Sequence, residues 1–104
     1  MKIAVDFDGV LCERYGIPTR GNFYDSPPTE DAVEAIKLLK KLGYELYIFT
    51  NRDPKEYPLM KKWLKEQGFP SLRITNIKEI GTSTYIDDRA IRFTNWQDIR
   101  KYFG

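Results

Sequence analysis

Two aspartates, Asp6 and Asp8, stand two positions apart near the start of the chain, with Gly9 directly behind them. A second acidic pair, Asp87-Asp88, lies toward the other end, and Thr50 and Lys78 supply a hydroxyl and an ammonium group between the two. Residues two apart on a strand point the same way, so Asp6 and Asp8 face one ligand if strand geometry persists into the turn that Gly9 permits. Carboxylates gathered in one place repel one another unless a cation holds them. Oxygen ligands without imidazole or thiolate select a hard ion, magnesium above all. A carboxylate beside such an ion can attack phosphorus to give an aspartyl phosphate, while a second protonates the leaving oxygen and later activates water. Lysine and a hydroxyl donor neutralise the charge that spreads over the transferring phosphoryl oxygens, roles open to Lys78 and Thr50.

Composition narrows the alternatives. The chain has no histidine and one cysteine, Cys12, which excludes an internal disulfide, histidine-based triads and the usual zinc centres. Hydrophobic residues at 41%, aromatics at 14% and charged residues at 31% suit a packed core with a solvated surface. A length of 104 residues predicts one domain, 1–104. The net charge of +2 is spread along the chain and argues only weakly for a nucleic-acid partner. Apolar runs fall far short of the roughly 18 residues that a membrane span needs, so neither a span nor a signal peptide is expected, and the expected compartment is the cytoplasm.

The elements that must position these groups follow from periodicity and punctuation. Residues 2–7 read as a strand ending on its acids, and 12–28 as a loop rich in glycine and proline. Thr29 is the expected N-cap of a helix whose apolar face runs Ala32, Val33, Ile36, Leu39 and Leu42, with Gly43 ending it. Residues 44–49 read as a buried strand. Asp53 then caps and Pro54 opens a second helix, with Tyr57, Met60 and Leu64 on one face and Gly68 at its close. Extended segments follow at 72–75, 83–86 and 91–94, and a final amphipathic helix at 96–103. The alternation predicts an α/β fold: a Rossmann-like three-layer sandwich with a mostly parallel, five-stranded sheet covered on both faces. Ligands in such folds bind beyond the carboxyl ends of the strands, where Asp6, Asp8, Thr50, Asp87 and Asp88 all fall.

At this level the pattern resembles a known family. Asp6-Phe7-Asp8-Gly9-Val10-Leu11 is similar to the first motif of the haloacid dehalogenase superfamily, and Ile48-Phe49-Thr50-Asn51 resembles the second. Lys78 matches the third-motif lysine, although Glu79 follows it where similar small members often have proline. Tyr85-Ile86-Asp87-Asp88-Arg89-Ala90 resembles the compact two-aspartate form of the fourth. The resemblance implies that Asp6 is the nucleophile and Asp8 the acid and base. It also implies metal ligation by Asp6, the main-chain carbonyl of Asp8 and Asp87, with Asp88 contacting the metal or bridged to it by water. The intervals between motifs are too short for a cap domain. A capless member has an open site, used on large substrates or covered by a neighbouring subunit in a homo-oligomer.

Plainer roles stand beside these. Asp8-Gly9 alone suits a tight turn, Thr50 a strand terminus bonding its own turn, and Asp53 a helix cap. Arg52 and Arg89, next to motif residues, can grip a phosphate bidentately or serve as surface charges. With Asn51, and Arg20 in the loop, they complete the candidate substrate contacts. Cys12 reads as a small buried hydrophobe rather than a nucleophile, Tyr15, Phe23 and Tyr24 as loop aromatics near the entrance, and Trp63, Trp96 and Phe103 as core. The expected function is a magnesium-dependent phosphatase acting on a phosphorylated small molecule. A phosphatase acting on nucleic-acid ends is the first alternative. A non-enzymatic phospho-acceptor or binding domain is the second; the acceptor is disfavoured because such receiver domains carry an acceptor aspartate at the later strand end where Thr50 stands.

Overall fold

Alternation along the first two strands sorts their side chains onto two faces, and among the described residues only one of those faces shares a buried cluster with helices. The computed structural model describes residues 1–13 and 23–104. The strands are β1 (Lys2–Val5), β2 (Glu45–Phe49), β3 (Ile74–Thr75) and β4 (Thr82–Ile86). The helices are α1 (Ala32–Lys41), α2 (Tyr57–Gln67) and α3 (Trp96–Tyr102), with 3-10 turns at Phe23–Asp25 and Pro54–Glu56. The strands form one parallel sheet in the order β3-β2-β1-β4. Val5 is paired with Ile48 of β2 on one side and Ile86 of β4 on the other, so the three carboxyl ends finish level. The Asp6 N–H continues the ladder to the Ile86 carbonyl at 2.9 Å.

Ile3, Val5 and Phe7 from the first strand and its turn, and Leu46 and Ile48 from β2, form a buried cluster with Ala32 and Ile36 of α1 and Met60, Trp63 and Leu64 of α2. Beneath the turn the Phe7 ring meets Phe23 and Trp63 edge-on, at centroid distances of 5.2 and 5.4 Å. Trp63 stacks on Phe69 and donates its indole N–H to the Ser26 carbonyl at 3.0 Å.

Several sequence expectations are corrected. The described residues form four strands rather than five, and 91–94 is not a strand. Thr29 does not cap α1: its hydroxyl donates to the Val10 carbonyl at 2.5 Å, and Asp31, at φ 63°, precedes the first helical turn. Thr29 therefore ties the approach to α1 to the acidic turn. Among the described residues the second face is covered without a helix layer, because the crossover from β3 to β4 is only the short segment 76–81 and holds no helix, and α3 buries no residue. On that face Tyr47 is covered by the Arg73 guanidinium at 5.1 Å, and its hydroxyl is held by Thr82 Oγ1 at 2.7 Å and the Glu79 N–H at 3.2 Å. Trp63 is core as expected, whereas Trp96 and Phe103 are 70% and 76% exposed, and α3 contributes no buried residue. Asp53 does cap, accepting from the Lys55 N–H at 2.9 Å, but what it caps is the 3-10 turn Pro54–Glu56, and α2 begins after that turn at Tyr57 without a side-chain cap. Gly68 closes α2 at φ 93°, a left-handed conformation that glycine adopts without a Cβ penalty. No helix among the described residues is long and apolar enough to cross a membrane.

Candidate active site

The chain leaves β1 at Asp6 and turns at once. The Phe7 carbonyl accepts from the Leu11 and Cys12 N–H groups at 2.9 and 3.1 Å, and Gly9 takes φ 81°, which a side chain there would strain. This turn sets Asp6 and Asp8 apart although they are near neighbours. The Asp6 carboxylate accepts from the Phe7 N–H at 2.8 Å and faces the end of β4, where one oxygen from each of Asp6, Asp87 and Asp88 lies within 4.8 Å of the others. Asp8 turns instead toward Arg52, which donates from Nε and Nη2 to its two oxygens, each at 2.8 Å.

Burial is the main reason the Asp6 carboxyl is pushed up to about 6, and the charges of Asp87, Asp88 and Asp8 push the same way against the Phe7 N–H. A half-buried carboxylate facing two others, and within the field of a third, needs a positive partner to ionise easily. Three carboxylate oxygens with no nitrogen or sulfur among them match the donor type of a hard divalent cation, and Asp6, Asp87 and Asp88 could hold one.

Thr50, 2% exposed at the end of β2, is held by its N–H to the Thr75 carbonyl at 3.0 Å, and its hydroxyl accepts the Arg52 N–H at 3.2 Å. That bond uses a lone pair and leaves the hydroxyl proton to donate. Asp6, Asp8, Phe49, Thr50, Asn51, Asp87 and Arg89 line a cleft of about 80 Å³. Beside it, a cleft of about 250 Å³ shares Asp6, Phe49 and Asp87 and adds Lys78, whose ammonium lies 5.5 Å from the Tyr85 ring centre. Larger concavities run along α3, about 690 Å³, and at the end of α2, about 470 Å³, but neither is lined by an aspartate or a glutamate. The chemistry is therefore located by its converging polar groups and not by volume.

The sequence candidates thus separate by place. Asp6, Asp87 and Asp88 come together, and Asp8, Thr50, Asn51 and Arg89 join Asp6 and Asp87 around the small cleft, the Arg89 N–H also closing a turn onto Asp87 at 2.8 Å. Lys78 stands in the adjoining cleft. Arg52 is absent from the lining of either cleft and is engaged with Asp8. Arg20 and Tyr15 lie outside the described residues. Cys12 is fully buried. Glu56 is missing from the sequence candidates, yet it accepts from Arg52 Nη1 at 2.7 Å, and its i,i+4 spacing from Arg52 is the signal that points to it.

No family model matches the chain, and no solved structure matches it. A Bacillus cereus protein named "putative nucleotidase" is 34% identical over 74 residues, a match covering 60% of this chain and 39% of that relative. The chain spans well under half the length of that relative.

Proposed function

We propose that the chain is a magnesium-dependent phosphatase of the haloacid dehalogenase type, hydrolysing a phosphate monoester through an aspartyl phosphate on Asp6. The observation that carries this reading is the convergence of Asp6, Asp87 and Asp88 within 4.8 Å at two adjoining strand ends, with Thr50 and Asp8 on the same cleft. The similarity to a protein named as a nucleotidase supports phosphate-ester hydrolysis and makes nucleoside monophosphates the first substrates to try. On this reading residues 1–104 are one capless, Rossmann-like catalytic domain.

An Asp6 oxygen attacks phosphorus, the ester P–O bond breaks, and the departing oxygen takes a proton from Asp8. Asp8 next takes a proton from water as its oxygen bonds to phosphorus, and the acyl phosphate bond breaks to return the Asp6 carboxylate and release phosphate. Thr50, Asn51 and Arg89 donate to the phosphoryl oxygens in the small cleft, and the Lys78 ammonium adds positive charge from beside it. Magnesium, when held by Asp6, Asp87 and Asp88, supplies the charge that lets these carboxylates ionise together and polarises the phosphoryl group. A cleft of about 80 Å³ accepts little beyond that group, so the alcohol portion of the ester lies outside it.

Release of inorganic phosphate from nucleoside monophosphates, sugar phosphates and phosphorylated oligonucleotides, with magnesium and with chelator, tests the reading. Turnover should appear with at least one ester class and drop at least about 100-fold in chelator. No magnesium-dependent release from any of them would sink it. Preference for oligonucleotides with a steep loss in salt would move the substrate to nucleic-acid ends.

Metal binding has its own readout. A cation that binds only the folded chain raises the thermal midpoint, by several degrees at saturating magnesium. Asp87→Asn removes one carboxylate of the three and should cancel most of that rise. An undiminished rise in Asp87→Asn would contradict the assigned ligands.

A further inference from the structure

We infer that Arg52 is the positioning residue for Asp8, holding its carboxylate in the orientation for proton transfer, and is not a ligand of the substrate phosphate. The inference rests on the phosphatase reading and adds a part to it. The Arg52 side chain is 10% exposed and committed in three directions. Nε and Nη2 grip both oxygens of Asp8 at 2.8 Å, Nη1 donates to Glu56 at 2.7 Å, and the guanidinium lies 4.6 Å from the centre of the Phe23 ring. Burial opposes its charge, but the bonds from Asp8 and Glu56 outweigh that and hold the group above its ordinary value.

A planar fork gripping both oxygens fixes the rotation of the carboxylate as well as its place, which a single lysine contact cannot do. Proton transfer depends on such alignment, since a general acid must lie within hydrogen-bond reach of the oxygen it serves. Glu56 and Phe23 in turn fix the fork. The small cleft takes its arginine from Arg89 instead, so the two arginines sequence reading placed together on the phosphate have separate partners.

The test is kcat/KM for Arg52→Gln, Arg52→Lys and Glu56→Gln over phosphate monoesters whose leaving groups run from p-nitrophenol to simple alcohols. This parameter reports the first phosphoryl transfer and excludes the later attack of water. p-Nitrophenolate leaves with little need of a proton, whereas an alkoxide needs one. Arg52→Gln should therefore lose about 3-fold on p-nitrophenyl phosphate and about 100-fold on alkyl phosphates, within the range of general acid catalysis. Arg52→Lys should follow the same trend, and Glu56→Gln should show it more weakly while keeping the Arg52–Asp8 pair. A loss equal across the series, the mark of a phosphate ligand, would overturn the inference, as would no loss. If Arg52→Gln does not fold, the slope in Glu56→Gln decides. Wild-type protein hydrolysing no ester would remove the phosphatase reading and this inference with it; activity with a flat series removes this inference alone.

Discussion

Asp6→Asn should fold, lose catalysis by on the order of 1,000-fold or more, and melt higher than the wild type when both are free of metal at neutral pH. The first effect follows from the reaction, because an amide oxygen cannot replace the attacking carboxylate. The second follows from the surroundings. Burial and three neighbouring acids raise the Asp6 carboxyl from an ordinary 3.8 to about 6, so between about 4 and 6 the folded chain retains a proton that the unfolded chain has released. The stabilising contribution is complete below the lower value and is lost as pH rises through the upper one. Asparagine carries no charge at any of these values, which keeps its contribution flat. The gap in thermal midpoint should be negligible at pH 4 and reach a few degrees by pH 7.5. Saturating magnesium should reverse the order, since only the wild type offers all three carboxylates. Melting curves with and without magnesium at the two pH values, beside the turnover assay, check both parts. Full turnover in Asp6→Asn would refute the nucleophile, and a metal-free midpoint below the wild type at neutral pH would refute the electrostatic account.

Much of this arrangement is legible in the chain because it is local. The short apolar runs that become β1, β2 and β4 end on Asp6, Thr50 and Asp87, and a parallel sheet brings such ends level whatever the loops do between them. Gly68 marks the end of α2, and the Asp53-Pro54 pair marks the 3-10 turn that leads into it, for equally local reasons. What is not legible depends on partners far along the chain. Nothing near Arg52 says that its fork will close on a carboxylate 44 positions earlier instead of a phosphate. Thr29 has the composition of an N-cap, but Val10 lies close enough to take its hydroxyl, and the helix begins later. The apolar period of 96–103 states that one side of a helix is apolar, but periodicity names no surface to receive it. The sheet face without a crossover helix shows the same gap, since a connection as short as 76–81 can be counted in the sequence only after β3 and β4 are known.

The largest stability effect should come from Trp63, which lies beneath the site without lining it. Its ring is fully buried against Phe7 and Phe69, and its N–H holds the Ser26 carbonyl next to the Phe23–Asp25 turn. Trp63→Ala should cost about 3–5 kcal/mol, a large part of the roughly 5–15 kcal/mol that holds a domain of this kind together. Trp63→Phe is the sharper experiment. It keeps an aromatic contact with Phe7 but gives up the donor to Ser26, which leaves that buried carbonyl unpaired at a cost of about 1–3 kcal/mol. Phe23 belongs to the same segment and carries the Arg52 guanidinium on its ring, so the loss should reach Asp8 through Arg52. Denaturant melts should show both variants less stable, with Trp63→Phe still folded. In that folded variant, kcat/KM should fall more on alkyl phosphates than on p-nitrophenyl phosphate. Equal activity on both, together with the lost stability, would show that the Ser26 anchor supports the fold without reaching the acid.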